Sequence, residues 1–500
     1  MGDMPELMEN ILKNLKYKIY SLYSCALVSR HWCKIAIPIL WKDPFLLNRS
    51  PLFIPNYFSS LGEYEKIILK ECLEECGINE EFSKTLFYYT RFLKVLDLSD
   101  LECKVKKWIN LKLGSYKKLL NRIINLLLKL FIESGATLHK LGLYLPRSFQ
   151  LKPEIFYSLG RNGQFFSRIQ HISLSIISTL DIESVTTLLR ALAENTTKIK
   201  TLNLFIHSDP ESQICHALIY VIKLQERFKL FRITTDGHTE FHGIISALEC
   251  QKNSLQEVVI QDCSFSAEFN VLNSCKNLET IRIRCCNTEL LKILDYKIST
   301  LEVFDTPIDA QTMVLILEKA GILLQRLIVE SISIDENILE ESLLLEAIKS
   351  FCPNITYFKI GYIKFSTQLL ELICNLHKLQ FLSLWCDINY LPVEELKIRV
   401  MQFSKILPLT LQYLDVRDWL EPHIDILFNH CQAPLKKLLI YRLDNEKNIN
   451  ALIEFCVRTR TLNYVGVSEY SNLEALDDKI RKEVEANTAL VPDHYIVVDC

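Results

Sequence analysis

A short apolar motif recurs along most of the chain. It reads Leu-x-x-Leu-x-Leu, with Ile, Val or Phe able to replace Leu. Clear copies begin at residues 93, 138, 169, 199, 255, 278, 324, 355, 379, 411, 435 and 462, and weaker copies begin at Tyr64, Phe228 and Leu301. Many steps are short, as from 255 to 278 and from 411 to 435. Such a period predicts stacked units rather than one central core.

Each unit is predicted to contain one strand and one helix. The last two apolar residues of the motif lie two apart, which puts both on the same face of a β-strand. Segments between copies carry apolar residues at helical spacing, as in 183–195 and 340–351. One strand and one helix cannot bury their apolar faces alone, but stacked units cover one another. The pattern predicts an α/β solenoid with its strands on the concave side.

Cysteines recur at two fixed places in these units. Cys72, Cys263 and Cys286 follow the motif, where a small side chain can bond the turn, and Cys275, Cys352 and Cys431 precede it. This pattern resembles the cysteine-containing leucine-rich repeats that are common behind F-box modules. The resemblance implies a curved array over residues 61–470 that holds a protein on its strands. Candidate contacts are the outward residues Arg282, Arg284, Lys359, Ser383, Trp385, Asp415, Arg417 and Tyr441.

The first 45 residues do not follow the repeat. Leu7, Ile11 and Leu15 form one helical stripe. A second stripe contains Leu22, Cys25, Ser29 and Trp32, with Leu27 and Val28 beside it. Two short helices provide too little core for high stability. We therefore expect them to be one half of an interface.

This stretch resembles the F-box. Met4 and Pro5 match its start, Leu7 to Leu15 its first helix, Cys25 to Trp32 its second helix, and Leu40-Trp41 its end. The resemblance implies docking on the adaptor of an SCF-type cullin–RING ubiquitin ligase, while the repeats bind the target protein. The implied adaptor contacts are Met4, Pro5, Leu7, Ile11, Leu12, Leu15, Leu22, Cys25, Leu27, Val28 and Trp32. The alternative is a cap on a repeat scaffold that has no ubiquitin role.

The domain prediction follows from these patterns. Residues 1–45 form the helical module, 46–60 a linker, 61–470 the array, and 471–500 a helix and tail. The array contains a basic insertion near 103–132, which carries eight Lys or Arg residues from Lys104 to Lys129. It would contact an acidic partner, or it would be a solvated helix whose Leu and Ile residues face the core. Because outward helix faces are normally charged, the pattern favours the solvated helix.

Composition narrows the class of function. A formal net charge of −3 gives no overall attraction to nucleic acid or to an anionic membrane. The 17 scattered cysteines and the absence of an apolar leader predict reduced thiols and a cytoplasmic or nuclear protein. Neither a Gly-rich phosphate loop nor a Gly-x-Ser-x-Gly motif occurs. We expect no enzyme activity, catalytic residue, metal or cofactor.

Overall fold

The computed structural model of the chain has two compact units, which are described separately. The N-terminal unit contains Met1–Leu255 and Ser274–Lys276, and the C-terminal unit contains Gln256–Asn273 and Asn277–Cys500. The structure describes residues 5–15, 18–46, 49–112, 116–144, 152–177, 182–237, 240–293, 297–305, 309–330, 338–417, 419–443, 445–468 and 478–496.

The N-terminal unit begins with helices and continues with alternating strands and helices. Its elements are α1 Pro5–Asn14, α2 Ile19–Val28, α3 Arg30–Leu40, α4 Pro55–Phe58, α5 Glu63–Glu75, β1 Val95–Asp97, α6 Leu98–Leu111, α7 Tyr116–Glu133, β2 Lys140–Tyr144, α8 Pro153–Arg161, β3 His171–Ile176, α9 Ile182–Asn195, β4 Thr201–Ile206, α10 Ser212–Lys223 and β5 Leu230–Thr235. The five strands pair in chain order, and every pair is parallel.

The C-terminal unit continues the pattern with ten strands. Its elements are β6 Glu257–Gln261, β7 Thr280–Arg284, β8 Thr300–Phe304, α11 Ala310–Ala320, β9 Arg326–Glu330, α12 Ile338–Phe351, β10 Tyr357–Lys364, α13 Thr367–Asn375, β11 Phe381–Asp387, α14 Val393–Ile406, β12 Tyr413–Asp415, α15 Ile424–His430, β13 Lys437–Ile440, α16 Glu446–Thr459, β14 Tyr464–Val467, α17 Asp478–Glu485 and β15 Ala489–Pro492. These strands also pair in chain order and in parallel.

The motif leucines fix the register of the strands in both units. Leu96 pairs with Leu141 in one unit, and Phe358 pairs with Leu382 in the other. The side chains of these four residues are buried. Equivalent apolar residues of successive strands stack on the face of the strands that the helices cover. The predicted α/β architecture is therefore confirmed.

Cysteines close the turns after two strands, as the motif predicts. The backbone N–H of Cys263 donates to the Cys286 sulfur at 3.2 Å. The thiols donate to the carbonyls of Gln261 and Arg284, both at 3.1 Å. Polar backbone groups at the strand ends are thereby satisfied inside the core.

The segment before β1 departs from the predicted repeat. Tyr64, Ile67 and Cys72 were expected in a repeat unit, but they lie in α5. That helix is favoured because the Glu65 carboxylate accepts a hydrogen bond from the backbone N–H of Gly62 at 3.2 Å. Within the expected linker 46–60, Pro55–Phe58 form α4, and Tyr57 and Phe58 are fully buried.

The basic insertion is part of the helical layer. Its apolar residues Leu119, Leu120, Ile123, Ile124, Leu127 and Leu128 are buried. Three of its lysines reach acids of the same unit: Lys106 pairs with Glu102, Lys112 with Glu80, and Lys129 with Glu65. These contacts fit a solvated helix pair. Over the described residues, no helix has both the length and the apolar character needed to cross a membrane.

Candidate functional site

The N-terminal helical module contains α1, α2 and α3. The sequence predicted two helices, but Ser29 divides the second one because its backbone is extended, with φ −161° and ψ 166°. The Ser29 hydroxyl accepts a hydrogen bond from the Trp32 backbone N–H at 3.2 Å and so caps α3. The division places Leu27 and Val28 at the end of α2 rather than in the middle of a longer helix.

The inner face of the module holds it together and fastens it to the rest of its unit. Leu12 and Leu22, which were predicted as adaptor contacts, are fully buried. They form internal packing and present no surface to a partner. Trp41 is also buried, and its ring stacks on Tyr89 with a centroid distance of 3.9 Å. The module is therefore anchored by aromatic packing.

The outer face of the module is unusually apolar. Leu7 and Ile11 are 55% and 54% exposed, while Leu27 and Val28 are 87% and 63% exposed. All four are among the predicted contacts. Leu15, Cys25 and Trp32 are half-buried, Pro5 begins α1, and Met4 lies outside the described residues. Large apolar side chains grouped on short helices indicate a protein-binding surface.

Two tyrosines extend this surface. Tyr20 is 90% exposed and Tyr23 is 50% exposed, and their spacing from Leu27 places all three on one side of α2. Tyr20 and Tyr23 also line a cavity of about 270 Å³ with Arg49 and Leu52. Helical spacing could have shown the tyrosines in the sequence, whereas the cavity required the fold.

The candidate target-binding residues of the C-terminal unit share one strand face. Register places Arg282, Glu302, Ile328, Lys359, Ser383, Asp415 and Leu439 in a single row across β7 to β13. Arg282, Lys359, Ser383 and Asp415 thus share a continuous row, but Ser383 and Asp415 are buried within it.

The charged members of this surface are paired with one another. Arg282 donates to Glu302 at 2.7 Å and also pairs with Glu257. Lys359 lies 2.6 Å from Glu330. Arg284 lies 3.0 Å from Asp305. These three cations already have carboxylate partners, so an incoming anion would have to compete with them.

A segment near the end of the chain covers part of the same face. Asp415, which is buried, pairs with Arg417 at 2.9 Å, and Arg417 reaches Asp493 at 2.6 Å. Ile496 packs against the buried cluster of Phe381, Tyr413 and Leu439. The predicted contacts Ser383, Asp415 and Arg417 therefore belong to internal packing here, because Ser383 also donates to Asp415 at 3.1 Å.

Two other predicted residues, Trp385 and Tyr441, meet Arg417 in one cavity. Trp385, Arg417 and Tyr441 line a space of about 510 Å³ at the carboxyl ends of β11 to β13. Trp385 is 37% exposed and its ring packs against Tyr362 at 3.7 Å. Arg282, Arg284 and Lys359 do not line this cavity. Among the described residues, no group of three or more His, Cys, Asp or Glu side chains is placed to hold a metal ion.

Comparisons with known proteins identify the helical module. The family model F-box-like matches residues 5–47. One chain of the crystal structure of the Rad7 and Elc1 complex in yeast matches with a TM-score of 0.42 at 14% identity, over 80% of this chain and 99% of that chain. No curated protein has a significant sequence match to the chain. The chain thus carries an F-box-like module at residues 5–47, ahead of parallel strands and helices.

Proposed function

We propose that this chain is a substrate-recognition subunit of an SCF-type cullin–RING ubiquitin ligase. The F-box-like module would dock on the adaptor, which connects it to the cullin scaffold, and the strand faces would bind the protein to be ubiquitinated. The observation that carries this proposal is the exposure of Leu27 and Val28 on a module that matches the F-box-like family. The chain itself would need no catalytic residue and no cofactor.

The energetics of the outer face support docking. Burying one exposed Leu or Val side chain contributes roughly 1.5–3 kcal/mol. Leu7, Ile11, Leu27 and Val28 together would supply a large part of the binding free energy of a protein complex. The inner residues Leu12 and Leu22 keep the helices in place without contacting the adaptor.

The experiment is co-purification of the full chain with a recombinant cullin–RING adaptor. We expect the wild type to retain the adaptor and the variant Leu27→Asp, Val28→Asp to lose it, because two carboxylates would be buried without partners. Both side chains are largely exposed, so the variant should fold. The matched control is Leu409→Asp, which changes a leucine that is 72% exposed in the C-terminal unit.

The possible results separate two functions. Loss of the adaptor in the double variant alone supports the ligase function. Failure of the folded wild type to bind any adaptor contradicts it and favours a repeat scaffold without a ubiquitin role. We further propose that the strand–helix units are leucine-rich repeats of the cysteine-containing type and that the protein acts in the cytoplasm or nucleus. The Cys263 and Cys286 hydrogen bonds support the repeat type.

A further inference from the structure

Positive charge gathers along the amino-terminal ends of β1 to β4 in the N-terminal unit. We name as the basic cluster the residues Lys42, Lys94, His139, Lys140, Arg168, His171 and Lys200. Five of them are exposed, and Lys94 and His139 are half-buried. None of them was among the predicted contact residues.

The backbone ladder brings the cluster together. The Lys42 carbonyl accepts hydrogen bonds from the Lys94 and Val95 N–H groups at 2.9 and 3.1 Å. On the next strand, the Lys94 carbonyl accepts from His139 and Lys140 at 2.7 and 3.1 Å. The same step repeats up to Lys200, which donates to Gln170 at 2.8 Å. Each step along the cluster therefore moves to the next strand, which lies roughly 4.8 Å away.

Nearby carboxylates balance the charge of the cluster only in part. Among the residues that the structure describes, none of its seven members forms an ion pair. Asp97 is nearby, but its carboxylate caps α6 by accepting from the Ser99 and Asp100 N–H groups at 2.9 and 3.3 Å. Asp43 also lies near Lys140, and burial raises the pKa of Asp43. The positive charge is therefore only partly offset within the unit.

Because the ladder places the members of the cluster on adjacent strands, they repel one another. The pKa of Lys94 is lowered by burial and then by Arg168 and Lys42. Burial and Lys140 and Lys200 lower the pKa of His171. Folding has thus assembled like charges at a cost in free energy, which an external anion would relieve.

We infer that the basic cluster binds an extended acidic segment of a protein partner, through carboxylate or phosphorylated side chains. Charge complementarity is the argument for this occupant. The four steps of the ladder from Lys42 to Lys200 span roughly 19 Å, and an extended peptide advances about 3.3 Å per residue. About six residues would therefore cross the cluster. This inference deepens the proposed function. It rests on that function only in naming the partner as the protein to be ubiquitinated.

A protein segment fits this surface better than nucleic acid. Residues 1–255 carry more Lys and Arg than Asp and Glu, so a nucleic acid is the competing polyanion and is included in the test below. The surface also contains polar groups without charge: Gln170 lies among the cations, and the Asn203 amide donates to Ser173 at 3.2 Å on the same sheet. Such groups suit a peptide in which acids alternate with neutral residues.

The test is fluorescence anisotropy on the full chain with three labelled probes. They are a short peptide of alternating glutamate and serine, the same peptide with phosphoserine, and a short oligothymidine. The test variant is Lys140→Glu, Lys200→Glu. The matched control is Lys223→Glu, Lys405→Glu, which makes the same charge change at exposed positions on α10 and α14.

We expect at least one peptide to bind, with affinity that falls as salt rises. The test variant should weaken binding about tenfold or more and the control less than about twofold. Stronger binding of one peptide would show whether phosphate or carboxylate is preferred. The inference is overturned if neither peptide binds, if both variants weaken binding equally, or if oligothymidine binds tighter than both peptides.

Adaptor co-purification separates this inference from the proposed function. The Lys140→Glu, Lys200→Glu variant should keep the adaptor, and the Leu27→Asp, Val28→Asp variant should keep the peptide. If the adaptor binds and no peptide does, only the acidic-partner inference fails. If a peptide binds at the cluster and no adaptor does, the surface stands but its partner is not a ligase substrate.

Discussion

The two units treat positive charge on their strands in opposite ways. In the C-terminal unit Arg282, Arg326 and Lys359 lie within 2.7 Å of carboxylates on neighbouring strands. In the N-terminal unit the basic cluster has no ion pair among the described residues. The strands of both units are built from the same apolar motif, so the motif does not set this difference. It arises from the residues between the leucines, which the core leaves free to vary.

The comparison teaches what an exposed cation contributes. A cation whose carboxylate partners are supplied by the fold stabilises the sheet and has little capacity left for a ligand. A cation surrounded by other cations destabilises the unit slightly and attracts anions. The sequence-based choice of Arg282, Arg284, Lys359 and Arg417 therefore selected residues that the fold already uses.

The largest predicted change in stability comes from removing a carboxylate that pairs with the cations of the C-terminal unit. Glu302 is 4% exposed and accepts from Arg282 and Arg326, both at 2.7 Å. We expect Glu302→Gln to lower the free energy of unfolding by about 2 kcal/mol, because two guanidinium groups lose their shared partner. Urea denaturation of the full chain measures this change.

An exposed ion pair provides the control for Glu302. Glu394 pairs with Lys397 at 2.7 Å on the surface of α14. Solvent screens this pair, so Glu394→Gln should change the free energy of unfolding by less than about 0.5 kcal/mol. Equal effects of the two variants would mean that the row of paired charges in the C-terminal unit does not stabilise it.

Most of the fold could be predicted because one simple pattern specifies it. Of the fifteen strands in the part of the chain that the structure describes, fourteen coincide with copies of the motif, including the weak copies at Phe228 and Leu301. The missed strand, β15, reads Ala-Leu-Val-Pro and buries Leu490 without the rest of the motif. The false copy at Tyr64 shows the reverse error, since its apolar spacing also suits a helix.

The site was less predictable for two different reasons. The partners of the C-terminal cations lie far away in sequence, as Asp493 does from Arg417, so pairing could not be read from residue spacing. The basic cluster, in contrast, has a regular position. Lys94, Lys140, His171 and Lys200 each lie one or two residues after the first apolar residue of a motif. Aligning the copies would have revealed that column.

The histidines of the basic cluster should make the free energy of unfolding depend on pH, with a smaller effect than that of Glu302→Gln. Burial lowers the pKa of His139, and the neighbouring cations Lys94, Lys42 and Arg168 lower it further. The pKa of His171 is also lowered, first by burial and then by nearby lysines. The unfolded chain then binds more protons as pH falls through about 6.5, so stability should fall from about pH 7.5 to 5.5. The effect should be less than about 1 kcal/mol because the rings are partly exposed.

The variant His139→Gln, His171→Gln measures this contribution by difference. Its free energy of unfolding should fall less than that of the wild type over the same pH range. Burial also lowers the pKa of His423, so this residue adds to the pH dependence of stability. Because His423 is present in both proteins, its contribution cancels in the comparison. Parallel pH curves for the two proteins would contradict repulsion within the cluster.

The smallest predicted effect has the opposite sign to that of Glu302. Lys140 and Lys200 are exposed cations without ion pairs among the described residues, so neutralising them removes repulsion from His171 and, at Lys140, a solvent-screened attraction to Asp43 and Asp100. Lys140→Gln, Lys200→Gln should leave the free energy of unfolding unchanged or raise it by up to about 0.5 kcal/mol. Urea denaturation beside Glu302→Gln measures both signs in one experiment. A loss above about 1 kcal/mol would mean that these lysines hold the fold together, and the distinction between a paired and an unpaired strand face would fail.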